Sequence, residues 1–89
     1  MLFMVIEHFG TNTEAIRARF KSRGRLMPEG VVYHGSWIDA ESARCFQVME
    51  SATRERLDEW IAAWSDLVRF EVVPVRTSGE FWAEREQSA

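Results

Sequence analysis

The stretch from Cys45 to Trp64, CFQVMESATRERLDEWIAAW, constrains this chain more than any other. It reads as a strand that passes directly into an amphipathic helix. Leu57, Trp60, Ile61 and Trp64 recur at the spacing of one face of a 3.6-residue helix, while Arg54, Glu55, Asp58 and Glu59 occupy the wet face. Thr53 or Ser51 supplies an N-cap oxygen, and the early acidic residues suit the positive end of the helix dipole. Before the helix, Arg44 to Glu50 alternates: Phe46 and Val48 point one way, Cys45, Gln47 and Met49 the other. A strand with apolar residues on both sides belongs in the middle of a sheet, and the two tryptophans make the helix its seal.

The rest of the chain supplies partners for that unit. Leu2 to Phe9 reads as a strand that is apolar on both faces, hence central or covered twice. Asn12 or Thr13 caps a helix from about Glu14 to Arg23, whose apolar stripe (Ala15, Ile16, Phe20) is narrow, and Gly24 stands where a left-handed C-cap is expected. Met27-Pro28-Glu29-Gly30 is a tight loop. Val31 to Ile38 is a strand, Asp39-Ala40-Glu41-Ser42 a polar turn, and Ala43 to Glu50 the returning strand. If Ile38 pairs with Ala43, Trp37 lies across from Arg44, His34 from Gln47 and Ser36 from Cys45. Tyr33, Trp37, Phe46, Val48 and Glu50 then share one face, and Val32, His34, Ile38, Cys45, Gln47 and Met49 share the other. Leu67 to Val75 is a fourth strand, placed at an edge because Pro74 has no backbone donor. Residues 77–89 form a polar tail, with a short helix over Glu80 to Glu86 and an aromatic tip of Phe81 and Trp82.

The order strand, helix, strand, strand, helix, strand predicts an α+β fold over residues 1–76. It is the ferredoxin-like βαββαβ arrangement, a four-stranded antiparallel sheet with both helices on one face. Two helices cover one side only, yet the strands are apolar on both. The uncovered side would be a larger greasy patch than a monomer ordinarily carries. A homodimer with the two sheet faces packed together by a two-fold axis is the economical solution.

Bulk properties narrow the function classes. Eighty-nine residues make one domain, and 46% hydrophobic with 28% charged residues fits a soluble globular chain. No apolar run reaches the roughly 20 residues of a membrane span. Met1 to Phe9 alternates and lacks a basic leader, so it reads as a strand, not a signal peptide. A lone Cys45 fits a reducing cytoplasm. A net charge of −3 argues against general nucleic-acid binding, and the basic run Arg17 to Arg25 spreads around its helix like a solvated face.

The segments MLFMVIEHF, GRLMPEGVVYHGSW, RCFQVME and EWIAAWSDLVRFEVVPV resemble the small proteins of the domain of unknown function 3303 family, over Met1 to about Val75. The tail from Arg76 lies outside this resemblance. The resemblance implies a ferredoxin-like fold of the dimeric α/β-barrel kind, and it implies Pro28, Gly30, Trp37, Phe46, Gln47, Glu50, Trp60, Trp64 and Pro74 as signature positions. The wider group includes cofactor-free monooxygenases of antibiotic biosynthesis, haem enzymes, lyases and stress-response proteins. The family's name assigns no activity.

Several residues invite chemistry, each beside a plainer reading. His8, His34 and Cys45 are metal-ligand types, but they stand on three strands with no metal-motif spacing, so no metal site is assigned. Cys45 as a nucleophile needs a base beside it; otherwise it is a small buried hydrophobe. On the hairpin register above, Glu50 sits among Tyr33, Trp37 and Phe46 below Trp60 or Trp64. There burial raises its pKa and makes it a catalytic acid or base; the plain alternative is a salt bridge. Tyr33, Trp37, Phe46, Trp60 and Trp64 then wall a site for a small, aromatic ligand, or fill an ordinary core. No cofactor motif is present. Two readings follow. One is a small-molecule binder, a cofactor-free monooxygenase- or isomerase-like enzyme with Glu50 as proton handler. The other is a non-catalytic homodimeric regulatory or interaction domain whose working surface is its dimer face.

Overall fold

In the computed structural model, which describes residues 1–41 and 43–88, the elements run β1 (Leu2–His8), α1 (Thr13–Arg23), β2 (Val31–Ile38), β3 (Arg44–Ser51), α2 (Arg54–Ala62), β4 (Arg69–Val75) and α3 (Ser78–Ser88). Ser42 of the expected turn and Ala89 of the tail lie outside the described residues. The strands form one antiparallel sheet in the order β2-β3-β1-β4, which is the ferredoxin-like order. β1 and β3 are central, as two-sided apolar strands require, and β4 with Pro74 is an edge.

One face of the sheet is sealed. Phe3, Val5, Met49 and Leu57 are at most 1% exposed and, with Trp60, Trp64 and Val68, form the core. Each such side chain contributes roughly 1.5–3 kcal/mol by leaving water. α2 starts as expected, with Thr53 Oγ1 accepting from the Arg56 amide at 3.3 Å. The helix ends at Ala62, and residues 63–67 continue as tight turns; the Leu67 and Val68 amides both bond the Trp64 carbonyl. β4 therefore begins two residues later than the apolar pattern suggests. α1 ends at Gly24, whose φ of 70° a residue with a Cβ adopts only under strain. α1 buries no residue fully, as its narrow stripe foreshadows, and touches the core through Ile16. The Asn12 side chain does not cap it; its amide donates to the Leu67 carbonyl at 2.9 Å, tying the start of α1 to the segment after α2.

The β2–β3 register departs from the expected hairpin. Ile38 pairs with Cys45, Trp37 with Phe46 and Ser36 with Gln47, two residues on from the expected pairing. Between Tyr33 and Gly35 the ladder slips by one, with His34 the extra residue of a β-bulge. Below the bulge the partners are Tyr33 with Met49 and Val32 with Glu50. Glycine at 35 makes room there for the Trp37 ring, which lies across it; a Cβ would stand 3.2 Å from that ring, closer than ordinary contact. The bulge sorts side chains differently from an unbroken alternation. Tyr33 lies on the helix-covered face with Met49, apart from Trp37 and Phe46, and Val32 and His34 lie on the open face with Glu50.

The open face carries Leu2, Met4 and Ile6 of β1, Phe46 and Val48 of β3, Val73 and Val75 of β4, and Val32 and Trp37 of β2. No helix long and apolar enough to cross a membrane occurs among the described residues.

Candidate functional site

A cavity of about 330 Å³ lies between α1 and the sealed face of the sheet. Its mouth is formed by the exposed Arg17, Phe20 and Ile38, and its floor by Glu7, Cys45 and Gln47. Trp60 and Trp64 wall it from the α2 side. The floor follows from pairing: Glu7 is the third inward residue of β1 after Phe3 and Val5, and it stands directly across from Cys45. Gln47 Nε2 donates to Glu7 Oε1 at 2.5 Å.

Burial dominates the electrostatics of this floor. It holds the Glu7 carboxyl above the ordinary glutamate range, against the opposing pull of hydrogen bonds from Gln47 and Cys45 and the charge of Arg25. Burial also pushes the Cys45 thiol up, with the Glu7 charge adding to it, to about 12. Cys45 is thus a protonated thiol at neutral pH and not a nucleophile. A carboxyl shifted toward its protonated form can both give and take a proton, as acid–base chemistry needs.

The walls are positioned with some precision. Both indole N–H groups, of Trp60 and of Trp64, donate to the Arg25 carbonyl, at 3.1 and 2.9 Å. Their polar atoms are thereby used, and they offer the cavity only ring surface. The Arg25 guanidinium lies 3.7 Å from the Tyr33 ring centroid and 5.2 Å from that of Phe20. Among the described residues no carboxylate approaches it within ion-pair distance. Tyr33 Oη is 2.6 Å from Ser36 Oγ, which fixes the ring under Arg25. Next to Arg25, Leu26 is the one non-glycine residue at positive φ among those described, at 57°. α1 is clamped over the cavity by Arg19, whose guanidinium makes two 2.7 Å bonds to Asp66 and one of 2.9 Å to the Ala63 carbonyl. That pairing lowers the Asp66 pKa.

Of the residues singled out in the sequence, Trp60 and Trp64 wall the cavity, and Tyr33 supports it through Arg25. Trp37, Phe46 and Glu50 do not join them. They lie on the open face, on the far side of the sheet: β3 turns Cys45, Gln47 and Met49 to the helices and Phe46 and Glu50 away from them, and Trp37 pairs with Phe46. Glu50 stands in water with His34, Oε1 to Nε2 at 2.7 Å, the salt-bridge alternative to a buried acid. His8 pairs with Glu71 at the other end of the open face, and Cys45 is on the sealed side, so these three do not converge. Glu7 and Arg25 were not singled out. The signal for Glu7 was present: two-residue steps from Phe3 and Val5 put it on the sealed face with them. Arg25, in a loop, left no such trace.

A second hollow, about 810 Å³, opens among the loops at the end of the sheet beside Asn12, Asp39 and Asp66. Two of its charged pairs are matched within the chain, Asp39 with Arg44 and Asp66 with Arg19.

The sequence model of the family described as Domain of unknown function (DUF3303) matches residues 1–87. The chain belongs to that family. The DUF3303 match runs past Arg76 into α3, farther than the resemblance read from the sequence. No curated protein matches the chain, and no solved structure does.

Proposed function

We propose that this DUF3303 chain binds a small, flat organic molecule in the cavity beneath α1, with Glu7 as the group that exchanges a proton with it. The carrying observation is a buried carboxyl of raised pKa, held by Gln47, on the floor of a cavity walled by two tryptophan rings. The volume is at the lower end of the range of small-molecule sites. The rings offer stacking surface, the Glu7 carboxyl offers a group with raised proton affinity to a ligand oxygen, and Arg25 offers positive charge at the rim. The chemistry that suits this set is acid–base transfer on the bound molecule, isomerase- or monooxygenase-like. The proton handler in this reading is Glu7, in place of Glu50.

The test is thermal stabilisation by a metabolite library. A binder is expected to raise the melting temperature of the natural protein in a concentration-dependent way. It should fail to do so for Ile16→Trp, which fills the cavity from the loosely seated α1. A compound that stabilises both proteins equally occupies another place and overturns the assignment. For a confirmed reactant, Glu7→Gln should still bind but lose turnover by roughly 100-fold or more.

The open face supports a second element of the proposal, the homodimer. Val32, Trp37, Val73 and Val75 are 49%, 62%, 45% and 36% exposed on one contiguous side of the sheet. A second copy of the same surface is the partner whose chemistry matches it. A dimer with this interface fits equally a regulatory or interaction domain in the cytoplasm.

A further inference from the structure

α3 does not belong to the packed body. Neither Phe81 nor Trp82 is among the side chains seated on the core, and Trp82 is 60% exposed. The Cα radius of gyration is 14.9 Å and the longest dimension 51 Å, whereas a compact chain of this length has a radius near 12 Å. Yet the helix is locally well specified. The Glu80 amide donates to Thr77 Oγ1 and the Thr77 hydroxyl to Glu80 Oε1, both at 3.1 Å, a reciprocal cap. Phe81 and Trp82 pack edge to face at 5.0 Å, and Arg76 and Arg85 flank the Phe81 ring. An isolated helix of 11 residues is marginal in water. A capped helix that presents an aromatic pair to solvent lacks a surface to sit on.

The geometry of the sheet indicates that surface. α3 leaves from β4, one edge strand, while the most exposed aromatic of the open face, Trp37, is on β2, the other edge. A two-fold axis running along the strands between two facing sheets lays the β4 edge of each copy against the β2 edge of its mate. Area points the same way. Four strands about 4.8 Å apart and seven or eight residues long cover roughly 19 × 25 Å, about 480 Å² in plan. A stable interface needs about 800 Å² per partner, and an arm reaching around the edge enlarges the sheet contact.

We infer that α3 is a dimer clasp: Phe81 and Trp82 of each protomer pack on Val32 and Trp37 of the other, twice by symmetry. The clasp rests on the face-to-face dimer proposed above and adds to it the element that locks the two copies. All four side chains reach solvent in the free chain, so their substitution leaves the monomer folded. Sedimentation equilibrium on the full-length protein reads the outcome. Trp82→Ser and Trp37→Ser should each weaken dimerisation by roughly tenfold or more. The double variant should be little worse than either single one, because both remove the same contact. If Trp82→Ser leaves the dissociation constant unchanged while the natural protein dimerises, the clasp is wrong and the sheet dimer stands. If the two substitutions weaken the dimer additively, the residues do not meet and the clasp is likewise wrong. A natural protein that stays monomeric at tens of micromolar removes the dimer and the clasp together.

Discussion

The two faces of this sheet are built from the same strands by the same alternation, and they do opposite things. The sealed face admits polar groups, Glu7, Gln47 and Ser51, each buried and each with a hydrogen-bond partner. The open face is apolar in its middle, with its charged pairs, His8–Glu71 and His34–Glu50, at opposite ends. A protein that only needed to be stable would reverse this, with its polar groups outside and its aliphatic ones within. A sheet that places a carboxyl under two tryptophans and leaves valines in water is arranged for something beyond its own folding.

The contrast is sharpest under truncation. Leu57→Ala, at a site with no exposure on the sealed side, should cost about 3–5 kcal/mol, and chemical unfolding will report it at any protein concentration. Val73→Ala, on the open side, should cost less than about 0.5 kcal/mol at high dilution, where only monomer remains. If the two losses prove equal, the faces are not the different environments described here. Next in size, Trp64→Phe removes one indole donor from the Arg25 carbonyl while keeping a ring in the wall. A loss of about 1–2 kcal/mol is expected, with Trp60 unable to compensate from its own fixed bond.

The smallest and most telling effect concerns Glu7. Its folded-state pKa lies above its unfolded value, so the folded form binds the proton more tightly. The associated stability is fully present below the ordinary glutamate pKa and falls away as pH rises through the raised folded value. Glu7→Gln keeps the acceptor for Gln47 and has no charge to bury. Its stability advantage over the natural protein should therefore grow from acid to neutral pH. It should reach the order of 1 kcal/mol, read as roughly 4–8 °C in melting temperature. An advantage that is constant across that range would mean that burial does not raise the proton affinity of the carboxyl.

Much of this was legible in the residues. The two-sided strands β1 and β3, the Thr53 cap, the edge position of β4 and the weak stripe of α1 all follow from local pattern, because each is decided within a few residues. The placement of Glu50 was not. It hinged on which side of β3 the helices cover: Phe46, Val48 and Glu50 share a face as expected, but Cys45, Gln47 and Met49 are the set turned to the helices. The bulge in β2 decided only where Tyr33 lies, and nothing in the run VVYHGSW marks His34 as surplus except the neighbouring Gly35. The slip divides Tyr33 from Trp37, and the facing of β3 puts Trp37 and Phe46 on the side of the sheet away from Trp60 and Trp64. Trp60 is where the sequence puts it because helix periodicity does not depend on strand register, and Trp64 follows in the turn that continues α2, its amide bonded to the Ile61 carbonyl.

One carbonyl oxygen deserves a last consequence. Two indoles hang from Arg25, so a single peptide rotation releases both at once, and neither ring can swing without disturbing the tether of its twin. The adjoining Leu26 stands in the left-handed region, at φ 57°. Whatever enters beneath α1 and nudges one tryptophan will be felt by the other and transmitted to residues 24–30, so that the protein's own fluorescence should register occupancy as one concerted change.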